Sequence, residues 1–309
     1  MPNCQLQSAV LNDSSKGSVI FFRSVHKINT ADRLYNTVML NSDLLCFGTT
    51  QFWYGKTPES FACMLEAVRT YGIRKIDTAE MYGNGTCEEA VGDLIAQTGR
   101  DQLYIIDKIL PYNVSAAQMR RSLENSLKRL RTDYIDMYLL HWRENADLAL
   151  TAEMMERFRQ EGKIREWGVS NFDVNDLEDL KEVRYGDRCS ANQVYFSLDK
   201  RGVQFDLLPF MKENSIHAMA YSSLDERSVR QRLSAISEIS KILAEENISI
   251  ERLMLEYVQY HGVCALFQTR SRNHLRDDLT GDHFDIEKYI DLISAILPAP
   301  DFKVPLEKR

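Results

Sequence analysis

No apolar run in this 309-residue chain approaches the ~20 residues that a membrane-spanning helix needs. The amino-terminal stretch MPNCQLQSAVLNDSSKG has no basic start followed by an apolar core, so no secretory leader is expected. Basic residues are outnumbered 45 to 38, giving a formal charge of −7 and a pI near 5.5, which argues against a surface dedicated to nucleic acid. Six cysteines, at 4, 46, 63, 87, 189 and 264, show no CxxC spacing. They fall mostly in predicted strands and helices, as reduced core thiols do, and no structural metal is expected. A GxGxxG turn is missing too, since Gly83-Asn84-Gly85 lacks the third glycine, which weakens the case for a doubly wound dinucleotide fold. What these absences leave is a cytoplasmic globular protein with neither membrane nor nucleic acid as partner.

What the chain does have is alternation. Short apolar runs are expected as strands at 44–47, 73–77, 103–106, 134–140, 164–169, 190–194, 216–220 and 263–267. Amphipathic segments follow each one. Thr57 precedes Pro58 as an N-cap before a proline at the first helical position. Thr86-Cys87-Glu88-Glu89 and Ser115 with Gln118 read as capping boxes, and Asp173 caps another helix. Further helices are expected at 152–160, 207–212, 229–246, 250–260 and 273–279. Eight strand–helix units in ~250 residues are the usual extent of a (β/α)₈ TIM barrel, because parallel strands need crossover helices. With no composition break, residues 1–309 are expected to form one such α/β domain. Residues 1–18 read as a loose tail, 19–40 as an N-terminal hairpin, and 286–309 as an extra C-terminal helix and tail.

Three successive strands carry chemistry at their ends. The second stops at Asp77 and runs into a loop bearing Tyr82, the third is followed by Lys108, and the fourth ends on His141. In a closed parallel barrel these ends share one mouth. A tyrosine near pKa ~10 is a poor proton donor and acceptor at neutral pH unless an ammonium alongside favours the phenolate. A carboxylate keeps that ammonium charged, and a neutral imidazole can hold a carbonyl oxygen by donating to it. No residue type supplies a hydride, so a nicotinamide must. Phe52-Trp53-Tyr54 after the first strand and Trp142 after the histidine suggest an apolar or aromatic carbonyl pocket, with Trp53, Tyr54 and Trp142 as candidate substrate contacts.

DTAEMYG at 77–83, the lysine after IID, LLH at 139–141, GVSNF at 168–172 and NQV at 192–194 resemble the aldo-keto reductase family. The resemblance runs from about Leu44 to Leu279. It implies a barrel that binds NADP(H) or NAD(H) without a Rossmann fold and reduces an aldehyde or ketone. By that resemblance Tyr82 is the general acid, Lys108 and Asp77 tune it, and His141 orients the carbonyl. Ser170, Asn171 and Gln193 match residues that hold the nicotinamide carboxamide, and Tyr221 matches the ring stacked on it. Thr49 and Thr50 lie where the family touches the nicotinamide riboside; Ser222, Leu224, Thr269, Arg270 and Asp278 complete the implied cofactor contacts.

The chain also departs from its relatives. Gln268 and His274 stand where a lysine and an arginine are common, removing two cations suited to a 2′-phosphate; Arg270, Arg272 and Arg276 are the candidates to compensate. The span 222–228 is short for a loop that covers the pyrophosphate, and Trp142-Arg143 stands where a proline is familiar. These departures motivate an alternative reading, a nucleotide-sensing regulatory barrel with little turnover. A third makes Lys108 a Schiff-base former, as in barrel aldolases.

Overall fold

The computed structural model describes residues 38–281 and 284–306. Its elements in order begin with β1 (Val38–Met39), β2 (Leu45–Gly48), α1 (Pro58–Arg69), β3 (Lys75–Asp77) and α2 (Thr86–Thr98). Then come β4 (Tyr104–Ile109), α3 (Ala116–Leu130), β5 (Ile135–Leu140), α4 (Leu148–Gln160), β6 (Ile164–Ser170) and α5 (Val174–Lys181). The second half holds β7 (Ala191–Tyr195), α6 (Leu207–Glu213), β8 (His217–Tyr221), α7 (Arg227–Ser234), α8 (Ser237–Glu245) and α9 (Ile250–Tyr260). It ends with β9 (Cys264–Phe267), α10 (Arg272–Leu279), β10 (Thr280–Gly281) and α11 (Ile290–Ile296).

Strands β2 to β9 pair in order, all parallel, and β2 closes on β9 through Leu45↔Ala265, Cys46↔Leu266 and Phe47↔Phe267. This is the eight-stranded TIM barrel that the alternation predicts. Side chains alternate across the strands. One set, including Cys46, Ile106, Met137, Leu139, Met219 and Cys264, fills the barrel; the other packs outward against the helices as one continuous apolar layer. The five described cysteines are buried and free. Among the described residues no group of His, Cys, Asp or Glu is placed to hold a metal, and no helix is long and apolar enough to cross a membrane.

Local readings fare unevenly. Thr57 and Asp173 form the expected caps, each with a reciprocal box, to Ser60 and Asp176. The box at Thr86 does not form: Gly85, in the left-handed region at φ 99°, is the cap, and the Thr86 hydroxyl donates to the Phe52 carbonyl instead. Helix α4 starts earlier than expected because Asp147 caps it at Leu150. The helix expected over 229–246 is two, broken where Ile236 turns extended; neither glycine nor proline marks the break. Lys108 lies inside β4 rather than after it. The tail at 1–18 and most of the hairpin at 19–40 lie outside the described residues. The described end of that hairpin, Val38–Met39, pairs antiparallel with Thr280–Gly281. The expected C-terminal helix is a short 3-10 turn, Ile286–Tyr289, leading into α11.

One glycine controls how closely two strands beside the site approach. A Cβ on Gly168 of β6 would lie 2.4 Å from the Ala191 carbonyl oxygen of β7, and backbone there cannot yield without opening the barrel. Gly168→Ala is expected to destabilise by about 2 kcal/mol or more, read as a lower urea midpoint; an unchanged midpoint contradicts this packing.

Candidate active site

The strands deliver their polar ends to one mouth. Asp77 closes β3, and the Lys108 side chain projects into the barrel from β4 with 0 % of its surface exposed. Its ammonium donates to both Asp77 oxygens, each at 2.6 Å, and to the Thr78 carbonyl at 2.9 Å. The Tyr82 hydroxyl lies 3.4 Å from the same Nζ. Gln193 of β7 donates to Asp77 Oδ1 at 2.8 Å, which fixes the carboxylate from across the barrel. The His141 ring packs edge-on against Tyr82, centroids 5.7 Å apart, and the His141 amide continues the ladder to Ile109. Acid, ammonium, phenol and imidazole therefore meet as the sequence predicts.

Electrostatics sets their protonation. Burial alone would lower the Lys108 pKa, but Asp77 and then Tyr82 outweigh it and hold the ammonium above the ordinary lysine value. Burial raises the Tyr82 pKa; Lys108 pulls it down, Asp77 adds to the rise, and burial wins. Lys108 thus lowers the Tyr82 pKa as expected, but burial outweighs it and leaves a neutral phenol. Burial, and then the Lys108 charge, pushes His141 down to about 3, so its ring is neutral near neutral pH and can donate only from one nitrogen. His141 Nδ1 has no partner among the described residues. An amine held charged by a carboxylate is also a poor nucleophile, which removes the support for a Schiff base at Lys108.

A cleft of about 750 Å³ runs over these groups. Trp53, Met81, Tyr82, His141 and Trp142 form one end, Ser170, Asn171, Gln193 and Tyr221 the floor, and Arg230, Glu251, His274 and Asp278 the other. Floor residues are cross-linked: the Ser170 hydroxyl donates to the Gln193 carbonyl, and the Tyr221 hydroxyl to Asn171 Oδ1 at 2.8 Å. Tyr221 stacks on Tyr195, centroids 5.5 Å apart. Thr50, Ser222, Leu224, Thr269 and Asp278 line the cleft as expected.

Three expected contacts do not. Thr49 is wholly buried with its hydroxyl on the Asp77 carbonyl, Tyr54 is 96 % exposed, and Arg270 donates to the Gln51 carbonyl; none of them lines the cleft. Arg272 and Arg276, the other possible replacements for the missing cations, pair with Glu66 and Asp277. Gln268 accepts from the Thr50 hydroxyl at 2.6 Å. Sequence reasoning missed Met81, Arg230 and Glu251. Arg230 pairs with Glu251 at 2.9 Å and donates to the Leu224 and Asp225 carbonyls; nothing in its local sequence signals a role in the cleft.

The cleft suits an extended dinucleotide: its volume lies in the range of cofactor pockets, and a floor of amide and hydroxyl groups beside an aromatic face matches a carboxamide-bearing ring. Comparison with known proteins agrees. Residues 44–289 match the model of the aldo/keto reductase family. The chain is 35 % identical to the methylglyoxal reductase YeaE of Escherichia coli over 240 residues, 76 % of this chain and 84 % of that protein. It is 30 % identical to a glyoxal reductase of Bacillus subtilis, over 82 % of this chain and 89 % of the relative. An aldo/keto reductase from Klebsiella pneumoniae, solved with NADP and acetate, superposes with a TM-score of 0.80 at 36 % identity, covering 86 % of this chain and 95 % of that one. The chain belongs to the aldo/keto reductase family and is an NAD(P)H-dependent oxidoreductase.

Proposed function

We propose that the chain reduces small or aromatic aldehydes and 2-oxoaldehydes with Tyr82 as general acid, Lys108 and Asp77 as its tuning pair, and His141 as the group that orients the carbonyl. The observation that carries this reading is the Lys108 ammonium lying between Asp77, at 2.6 Å from both oxygens, and the Tyr82 hydroxyl at 3.4 Å. Two similar proteins are named methylglyoxal and glyoxal reductases, which makes 2-oxoaldehydes the first substrates to test.

A reduced nicotinamide, when bound, would supply the hydride to the carbonyl carbon. Ser170, Asn171 and Gln193 would hold its carboxamide, and the Tyr221 ring would support its face. The neutral His141 ring donates to the substrate oxygen and fixes its position. Tyr82 gives its hydroxyl proton to that oxygen as negative charge develops there, and the product is the alcohol. The adjacent ammonium stabilises the phenolate left behind, and Asp77 keeps that ammonium in place. The proton returns to Tyr82 from solvent through the open cleft.

Removing the donor leaves the rest of the site intact. Tyr82→Phe is expected to lower turnover of methylglyoxal by about 10³-fold with little change in NADPH affinity; activity within tenfold of the parent removes Tyr82 from its role.

The imidazole offers a separate check. In ring-nitrogen NMR spectra His141 is expected to stay neutral from pH 5 to 8, since its pKa is pushed down to about 3. A protonation midpoint between pH 5 and 7 contradicts the buried, Lys108-facing placement.

At the adenosine end, Gln268 and His274 replace cations, and Arg270, Arg272 and Arg276 are engaged elsewhere. Arg230 is paired with Glu251, and burial with the Glu251 charge pushes the Asp278 carboxyl up to about 7. Charged hydrogen bonds to a phosphate are each worth ~1.5–3 kcal/mol. Tryptophan-fluorescence titrations are therefore expected to give NADH and NADPH dissociation constants within about tenfold of each other; NADPH binding 100-fold tighter would show that other residues hold the 2′-phosphate.

A further inference from the structure

At the carbonyl end of the cleft, the Trp142 ring stands beside His141. Trp142 lies 5.0 Å from the His141 ring, centroid to centroid, and lines the cleft. What holds it is a carboxylate in its own loop. The Trp142 indole N–H donates to Glu144 Oε2 at 2.8 Å. Tyr112, from the turn Pro111–Asn113 after β4, packs edge-on against Trp142 at 6.0 Å.

That turn is itself fixed. Glu80, on the loop that carries Tyr82, accepts from the Leu110 amide at 2.8 Å and from the Asn113 side chain at 2.9 Å. The loops after β3, β4 and β5 are thus braced in series, and Glu144 is the last member. Its backbone sits in the left-handed region at φ 41°, a conformation of real cost for a residue with a Cβ. It leaves the carboxylate accepting from the Trp142 N–H two residues back.

Charge at this rim is one-sided. Hydrogen bonds from Trp142 and then Tyr112 hold the Glu144 carboxyl below its ordinary pKa, so it is anionic at neutral pH. Arg143, the neighbouring cation, is engaged by Asp176 at 2.7 Å and Asp179 at 2.8 Å. Among the residues lining the cleft, the cation Arg230 belongs to the adenosine end. Around the carbonyl end the lining is Trp53, Met81, Tyr82, His141 and Trp142.

We infer that Glu144 is a specificity-determining residue that acts through Trp142: it fixes the indole as a flat wall for planar carbonyl substrates, and its charge discriminates against those bearing a carboxylate away from the reacting carbonyl. The substrate class is therefore uncharged aromatic aldehydes and 2-oxoaldehydes. This rests on the reading of the site as a carbonyl reductase.

The test compares methyl 4-formylbenzoate with 4-carboxybenzaldehyde, which differ chiefly in the remote charge, and uses methylglyoxal as a substrate too small to span the wall. The parent enzyme is expected to favour the ester by tenfold or more in kcat/KM. Glu144→Gln keeps an acceptor for the Trp142 N–H and removes the charge, so the ratio is expected to fall several-fold with ester kinetics unchanged. Glu144→Ala also frees the indole; KM for the ester is expected to rise several-fold with kcat less affected, and methylglyoxal kinetics to stay within twofold. A parent ratio near one, or a ratio unmoved by Glu144→Gln, overturns the role of Glu144 while leaving the reductase reading intact. No turnover of any of the three aldehydes overturns that reading and this inference with it.

Discussion

A charged lysine with no exposed surface is the constraint around which the mouth of this barrel is built. Stripping an ammonium of water costs several kcal/mol unless an opposite charge and further hydrogen bonds compensate. Here Asp77 meets it with both oxygens, the Thr78 carbonyl adds a third acceptor, and Gln193 secures the carboxylate from the opposite side. The pair cannot relax without leaving a buried charge unmatched. Its position is thereby fixed, and so is the distance from Nζ to the Tyr82 hydroxyl. The same burial that makes the pair costly keeps Tyr82 protonated and His141 neutral, while Asp77 holds Lys108 charged against it.

The rest of the structure serves that placement. The barrel brings residues 31 and 116 positions apart onto Asp77, from Lys108 and Gln193 respectively. Thr49 buttresses the end of β3 by donating to the Asp77 carbonyl. The loop carrying Tyr82 is tied to the β4 turn through Glu80, and that turn packs on Trp142 through the Tyr112 ring. In the second half, Arg230 ties the 224–225 backbone to the start of α9. The 224–225 backbone beside the cleft is thereby anchored by one guanidinium.

Much of this was legible in the sequence, for a physical reason. Parallel strands covered on both faces read as short apolar runs, and each polar residue ending a run was a visible anomaly; Asp77, Lys108 and His141 stood out in that way. Caps such as Thr57 and Asp173 are local, so local sequence reveals them. Thr86 misled because a glycine in the left-handed region took the cap and the hydroxyl found a partner on a distant loop. Thr49, Tyr54 and Arg270 were placed by their neighbours in sequence, but which way a side chain turns at a strand end depends on partners far along the chain. Arg230 and Glu144 were invisible for the same reason: a charged residue on a helix or loop looks solvated until the fold shows what it holds. The lowering of the Tyr82 pKa by Lys108 was legible, but the larger opposing effect of burial depth is not a property of sequence.

The coupling of Lys108 to Tyr82 is tested most directly by single-turnover hydride transfer in Lys108→Met, saturated with cofactor and shown by circular dichroism to be folded. The expected result is a chemical step slowed by about 10²-fold or more, with a full primary deuterium isotope effect and cofactor affinity little changed. A rate and isotope effect equal to those of the parent enzyme would contradict the claim that this buried ammonium governs proton donation.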